Sequence, residues 1–280
     1  MPVSWRSTQS VSAVPLAVCA TPIGNLDDVT LRLLEELRAA DVILCEDTRH
    51  TRVLLDRHGI SGAKLLSYHE HNEAKRTAEL LPRLEAGEHF ALVTDAGMPG
   101  ISDPGARLVE AALERGAPVT VLPGPTAVET ALVASGFAAD RYQFVGFLPR
   151  GAGALAALWR ELAGWAHPVV AFESPRRLPA TLRSLAEQLP GREVAVCREL
   201  TKKFEEVRRG PATEVAARFA EPPKGEITLV LGPGELDRDP AGALEAVAEL
   251  VAAGIPRRRA AELVSQLTGA SRNELYRRTL

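Results

Sequence analysis

The chain has 280 residues, 46% hydrophobic and 25% charged, which is enough apolar material for two cores without covalent staples. Its formal charge of −3 excludes nucleic-acid binding through overall charge, so any such contact must come from a local patch. Three cysteines without a C-x-x-C pair, and no run of 18 apolar residues, exclude a disulfide framework and a membrane-spanning helix and point to a reducing, cytoplasmic compartment.

Residues 1–14 read as a disordered N-terminus, Ser-rich and polar up to Ala13, and the apolar run that follows is too short, and too soon broken by Pro15, for a signal peptide. Apolar runs predict strands at 16–19, 42–45, 90–93, 118–122, 169–172, 193–197 and 226–231. Between them, 3.6-residue periodicity predicts helices such as 31–40, 74–85, 107–114 and 178–188. This alternation specifies layered α/β structure. The stretch Gly146-Phe-Leu-Pro-Arg-Gly-Ala-Gly153 interrupts it and reads as a linker, dividing an α/β domain at 15–148 from a second at 152–235. A helical extension fills 240–280, with helices predicted at 241–253 and 257–268 and a third over 271–278. Gly254-Ile-Pro256 and Gly269-Ala-Ser271 give it a helix-turn-helix look, with Ser271 and Glu274 spaced as a capping box. From Gly254 onward six arginines (Arg257, Arg258, Arg259, Arg272, Arg277, Arg278) face two glutamates, a local charge of +4 that suits phosphate and equally suits a solvated helical face.

The most informative stretch is His89-Phe-Ala-Leu-Val-Thr-Asp-Ala-Gly-Met-Pro-Gly-Ile-Ser-Asp-Pro-Gly105, a buried strand running into a loop dense in Gly, Pro and Asp. Its glycines permit close backbone approach to a ligand, and Asp95 and Asp103 can accept hydrogen bonds. Pro123-Gly-Pro-Thr-Ala127 ends another strand, and Thr126 with Glu129 forms a T-x-x-E cap that leaves helix N–H groups for a carboxylate. The turn after the first strand, Thr21-Pro-Ile-Gly-Asn-Leu-Asp-Asp28, lacks G-x-G-x-x-G, and the chain has no P-loop, H-E-x-x-H or G-x-S-x-G motif. His69 and His71 in Tyr68-His-Glu-His-Asn-Glu73 have no identifiable third ligand, so no metal is expected.

Six segments carry a resemblance: Ala20-Thr-Pro-Ile-Gly-Asn-Leu-Asp-Asp-Val-Thr30, Cys45-Glu-Asp-Thr-Arg49, Asp95–Gly105, Pro123–Ala127, Phe172-Glu-Ser-Pro-Arg-Arg177 and Gly225-Glu-Ile-Thr-Leu-Val230. In this order they resemble the small-subunit (16S) ribosomal RNA cytidine 2′-O-methyltransferases of the tetrapyrrole methylase family, over about residues 15–232. The resemblance implies a two-domain α/β fold, a homodimer, and S-adenosylmethionine folded in the cleft between domains. It implies cofactor contacts at Ile23, Asp95, Ala96, Gly97, Met98, Ile101, Ser102, Asp103, Thr126 and Ala127, and across the cleft at Phe172, Glu173, Gly225, Glu226, Ile227 and Thr228. RNA contacts are expected at Arg176, Arg177, Lys202, Lys203 and the arginines of the extension. Methyl transfer from a sulfonium needs alignment and deprotonation of the acceptor and no enzyme nucleophile. The groups expected to do that work are Glu46, Asp47 and Arg49, with His69, Glu70 and the Arg198–Lys203 loop as further candidates. A precorrin-type C-methylase would share fold and cleft, but Asp95-Ala-Gly-Met-Pro-Gly replaces the Gly-Gly-Asp-Pro wording of ring methylases. A non-enzymatic RNA-binding protein on the same fold is the remaining alternative.

Overall fold

The computed structural model describes residues 14–234, 240–268, 270 and 272–279. The N-terminal expectation for residues 1–13 and the Ser271 cap lie outside the described residues. The chain forms two compact units, one running to Ala134 and including Cys197–Glu206, the other taking Ser135–Val196 and Val207 onward. No helix among the described residues is long and apolar enough to cross a membrane.

The first unit contains β1 (Leu16–Cys19), α1 (Leu31–Ala39), β2 (Val42–Cys45), α2 (Thr48–Arg57), β3 (Leu65–Ser67), α3 (Glu73–Glu85), β4 (Phe90–Leu92), α4 (Ala106–Glu114), β5 (Val119–Leu122) and α5 (Ala127–Ala134). Its five strands pair in parallel in the order β3-β2-β4-β1-β5. A parallel sheet needs helical crossovers, which cover both faces, so its central strands are apolar throughout. Strand alternation sorts their side chains. Leu16, Val18, Leu44, Phe90 and Leu92 pack with Leu80 and Leu84 of α3 and Leu108 of α4, whereas Ala17, Cys19, Ile43, Cys45 and Ala91 meet Leu33 and Leu37 of α1 and Leu54 and Leu55 of α2. Truncating a wholly buried leucine such as Leu44 to alanine would cost about 2–5 kcal/mol. Thr30 starts α1 by accepting the Leu33 N–H at 3.1 Å.

The second unit contains β6 (Gln143–Phe147), α6 (Ala152–Ala163), β7 (Val169–Glu173), α7 (Leu178–Gln188), β8 (Glu193–Arg198), β9 (Glu206–Pro211), α8 (Ala212–Arg218) and β10 (Ile227–Leu231), with β8 and β9 lending their joining ends to the first unit. Its sheet runs β6-β7-β10-β8-β9 and is mixed, β6 parallel and β10 antiparallel to β7. Trp159, Leu162, Leu182, Leu185, Val194, Val196 and Leu229 form its core, and the Trp159 indole donates to Ser184 Oγ at 3.2 Å. The helices α9 (Pro240–Ala252), α10 (Arg257–Thr268) and α11 (Arg272–Arg278) follow, with Val247, Ala260, Ala261, Val264 and Leu275 buried together.

The α/β class and the helical extension are as expected, but the linker is not. Gly146 and Phe147 belong to β6, paired with β7, and the second unit already begins at Ser135. Gly146 has φ 66°, so this glycine serves an irregular strand and not a hinge. The elements outside the sequence prediction include β3, a three-residue edge strand, β9, the polar Glu-Val-Arg-Arg-Gly-Pro, and α6, whose start lies inside the Gly-rich stretch.

Candidate active site

Three features of the chain meet at the C-terminal ends of β1, β2, β4 and β5, the side on which open parallel sheets bind ligands. The first is the turn after β1. Thr21 and Gly97 exchange two backbone hydrogen bonds, at 2.9 and 3.2 Å, and Thr21 Oγ1 donates to the Thr94 carbonyl at 3.0 Å. These bonds bring Thr21-Pro-Ile and the glycine loop together, with Ile23 buried 3.6 Å from where a Gly97 Cβ would stand.

The loop itself is held open by unusual backbone. Gly97 and Gly100 have φ 82°, Gly105 φ 137° and Ser102 φ 62°, so a left-handed residue recurs along its length. Met98 packs against the core, whereas Ile101 stays 51% exposed. The loop is tied down by residues that the sequence offered only as a polar cluster. Glu73 Oε1 accepts the Gly105 N–H and the Tyr68 hydroxyl, both at 3.2 Å, and Tyr68 is buried against Thr77 at 3.0 Å. Tyr68 and Glu73 carried no recognisable spacing because their partner lies 32 positions away.

The second feature is the acidic end of β2, where the three residues expected to do the chemistry stand in different surroundings. Asp47 caps α2: its Oδ1 accepts the Arg49 N–H at 2.8 Å, and the Arg49 guanidinium forks onto it at 3.1 and 2.6 Å. Those bonds hold the Asp47 carboxyl well below the ordinary carboxylate range, making it a poor proton acceptor. Arg49 is otherwise solvated, its side chain 89% exposed. Glu46 is the opposite case. Desolvation raises its carboxyl first and the negative charge of Asp95 second, with Asp47 and Glu70 adding and His69 opposing. Asp95 links the strands, its Oδ1 accepting the Asp47 N–H at 3.2 Å and its Oδ2 lying 3.6 Å from His50 Nδ1.

His69 adds a donor. Asn72 Oδ1 accepts the His69 N–H at 2.9 Å, which orients the amide so that Asn72 Nδ2 donates to His69 Nε2 at 3.2 Å. The ring proton then sits on Nδ1, an atom buried with no hydrogen-bond partner among the described residues. A ligand would satisfy it.

The third feature is the capped turn. Thr126 Oγ1 accepts the Glu129 N–H at 3.2 Å, as the T-x-x-E spacing requires, and starts α5. Gly124 is needed for close approach, since a Cβ there would lie 2.9 Å from Ala20 Cβ. The Arg198–Lys203 loop also belongs to this unit, and Lys202 is engaged with Glu199 at 2.9 Å.

In the second unit, β7 and β10 bring the two expected motifs side by side, Glu173 opposite Ile227 and Phe172 opposite Thr228. Two of the expected contact residues are engaged within the unit there. The Glu173 side chain is wholly buried and occupied: Oε1 accepts the Ser174 N–H at 2.7 Å, and Oε2 accepts the Thr181 hydroxyl at 2.6 Å and lies 3.2 Å from Arg177. Arg177 also donates to the carbonyls of Leu148 and Pro149, at 3.1 and 2.6 Å. The side chains of Glu173 and Arg177, expected on a cofactor and on RNA, thus knit this unit together instead. Ile227 points into the core, Phe172 stacks edge-on with Phe144 and Phe147, Gly225 holds φ 97°, and Arg176 is exposed.

In the extension, Arg257, Arg258 and Arg259 crowd the first turn of α10, where the helix dipole already disfavours cations. Arg257 Nε is buried without a partner among the described residues, while Arg259 pairs with Glu262 at 3.0 Å and Arg278 with Glu274 at 3.4 Å. Arg277 donates to the Asn273 carbonyl at 3.2 Å and Arg272 to the Asn273 side chain at 3.4 Å.

The first-unit residues fit a sulfonium cofactor. Carboxylates of Glu46 and Asp95 favour a cation, Ile23 and Met98 supply apolar surface, and the positive-φ backbone at Gly97 leaves a cradle no L side chain fills. The family model of tetrapyrrole (corrin/porphyrin) methylases matches residues 15–216, and a model described as the RsmI C-terminal HTH domain matches residues 238–280. The chain is 44% identical over 268 residues to a ribosomal RNA small subunit methyltransferase I of Mesorhizobium japonicum, covering 95% of this chain and 91% of that one. It is 46% identical over 217 residues to the protein of the same name from Thermotoga maritima, covering 77% of this chain and 97% of that one. A solved uroporphyrin-III C-methyltransferase from Thermus thermophilus, complexed with S-adenosyl homocysteine, shares the fold at a TM-score of 0.54 and 21% identity, over 78% of this chain and 96% of that one. The chain therefore belongs to the tetrapyrrole methylase family, in its small-subunit ribosomal RNA methyltransferase branch, and is an S-adenosylmethionine-dependent methyltransferase.

Proposed function

We propose that the protein methylates the ribose 2′-hydroxyl of a cytidine in small-subunit (16S) ribosomal RNA, with Glu46 as the base that accepts the hydroxyl proton. The observation that carries this reading is the raised Glu46 carboxyl beside Asp95, at the end of the sheet where the glycine loop opens. A carboxylate made more basic by burial is better matched to a weakly acidic hydroxyl. When bound, S-adenosylmethionine supplies an activated methyl group on a cationic sulfur. Ile23, Asp95–Met98, Ile101–Asp103, Thr126 and Ala127 would hold it, and His69 Nδ1–H would orient the acceptor. From the second unit, Phe172 and Gly225–Thr228 remain candidate contacts, Phe172 half-buried and Glu226 exposed.

The extension would hold RNA backbone, because three arginines at one helix start favour an anion. The substrate is a ribosomal RNA within its small subunit, and the compartment the cytoplasm, which agrees with three free, buried cysteines. Burial pushes Cys197 up to about 12, leaving it a neutral thiol. Two copies would pair through the first unit, where Val121 is 54% and Val133 81% exposed.

The experiment is transfer of labelled methyl to small subunits from cells lacking this protein, followed by alkaline hydrolysis. A 2′-O-methyl group blocks cleavage at its own linkage, so one resistant cytidine is expected. Methylation of a tetrapyrrole carbon instead, or cofactor binding without any transfer, would overturn the reading.

A further inference from the structure

The segment joining β8 to β9 is built to hold one exposed ring in place. Glu199 and Thr201 have φ 52° and 64°, a backbone region that costs non-glycine residues about 1–3 kcal/mol and persists only where the surroundings impose it. The surroundings do so here. Arg198 pairs with Glu206 across the base at 3.0 Å, Lys202 with Glu199 at 2.9 Å, and the N–H groups of Lys202 and Glu205 donate to the carbonyls of Glu199 and Lys202, each at 3.0 Å.

The segment is also seated on the turn after β1, within the same unit. Thr201 Oγ1 accepts the Asn25 N–H at 2.9 Å. A Cβ on Gly24 would stand 2.5 Å from Lys202 Cγ and 2.8 Å from the Leu200 carbonyl oxygen, so glycine is required there for the approach. That turn begins at Thr21, the residue bonded to Gly97, which fixes the segment at the ligand end of the parallel sheet.

From this rigid frame Lys203 and Phe204 project. Phe204 is 65% exposed, and the Lys203 ammonium lies 5.5 Å from its ring centroid. A fixed aromatic face in water contributes nothing to the core, and with a cation beside it suits a flat base that carries a phosphate. Bases of a helical duplex are stacked away from side chains, so the strand must be single.

We propose that Phe204 is a stacking platform for a base of the single-stranded RNA next to the acceptor ribose, with Lys203 on its phosphate and Lys202 confined to bracing the segment. This rests on RNA methyl transfer as the function of the adjoining site. The test compares full-length Phe204→Ala, Phe204→Trp and Lys203→Ala for binding to a labelled single-stranded oligoribonucleotide of small-subunit sequence and to S-adenosylhomocysteine, with sedimentation of each variant. Phe204→Ala should bind RNA roughly tenfold or more weakly. Phe204→Trp should bind within about twofold of the parent and show fluorescence quenched by RNA. Lys203→Ala should lower the salt slope by about one. Cofactor affinity should stay at the parental value in all three. Parental RNA affinity in Phe204→Ala overturns the proposal, and if its oligomeric state changes at the same time the ring belongs to a contact with a second copy. A parent protein that transfers no methyl to RNA instead overturns the function on which the proposal rests.

Discussion

The segments that follow β4 and β7 look alike as sequence, each an apolar strand running into Pro and charged residues, yet they end in opposite states. After β4 the backbone is left-handed at Gly97, Gly100, Ser102 and Gly105, Ile101 is 51% exposed, and Asp95 raises the neighbouring Glu46. After β7 the charged groups close on one another, with Glu173 taken up by Ser174, Thr181 and Arg177. A motif in sequence therefore marks a place where chain geometry is demanding. Whether the demand serves a ligand or the fold is decided by how many of its polar atoms already have partners.

Breaking the closed region should give the largest loss of stability and the least specific loss of function. Glu173→Ala leaves Arg177 and Thr181 without their carboxylate, and chemical denaturation should show a loss of about 3–5 kcal/mol. Cofactor affinity measured on the folded fraction should match the parent. A stable variant with lost affinity would restore Glu173 as a ligand contact. In the open region, Gly97→Val forces a β-branched residue to φ 82°, a strain of about 1–3 kcal/mol. Calorimetry with S-adenosylmethionine should show weakened binding, with an unfolding midpoint lowered less than in Glu173→Ala. The cause is backbone conformation, since the nearest atom to a new Cβ is Ile23 Cγ2 at an ordinary 3.6 Å.

Smaller effects sharpen the contrast. Neutralising Arg257, Arg258 and Arg259 together should lower the salt slope of RNA binding by about two to three and leave cofactor affinity intact. An unchanged slope would assign these arginines to a solvated face. Asp95→Asn removes the second cause of the raised Glu46 carboxyl. Glu46 works as a base only when ionised, so activity falls as pH drops through its pKa, and the acid limb of the single-turnover profile should move to lower pH in this variant. Arg49→Ala should change the turnover rate least, because Arg49 is engaged with the α2 cap and exposed to solvent.

Much of this was legible in the sequence, for reasons that particular residues make plain. The apolar runs at Leu16–Cys19 and Val42–Cys45 have no other use than a sheet covered on both faces, and Thr126 with Glu129 cap α5 through purely local spacing. What stayed hidden depends on contacts distant in sequence. Glu73 anchors Gly105, Thr201 binds Asn25, and β6 acquires its sheet only by pairing with β7. Asp47 and Glu46 are adjacent and chemically alike, and only the surroundings that folding brings them make one a helix cap and raise the carboxyl of the other.

The most direct test is single-turnover methyl transfer by Glu46→Gln with cofactor and small-subunit RNA both saturating. The amide keeps the shape of the side chain and cannot accept the hydroxyl proton. We expect a rate about 10²-fold or more below the parent, with cofactor and RNA affinities unchanged. A rate within about twofold of the parent would contradict Glu46 as the base and return the role to the other groups around the glycine loop.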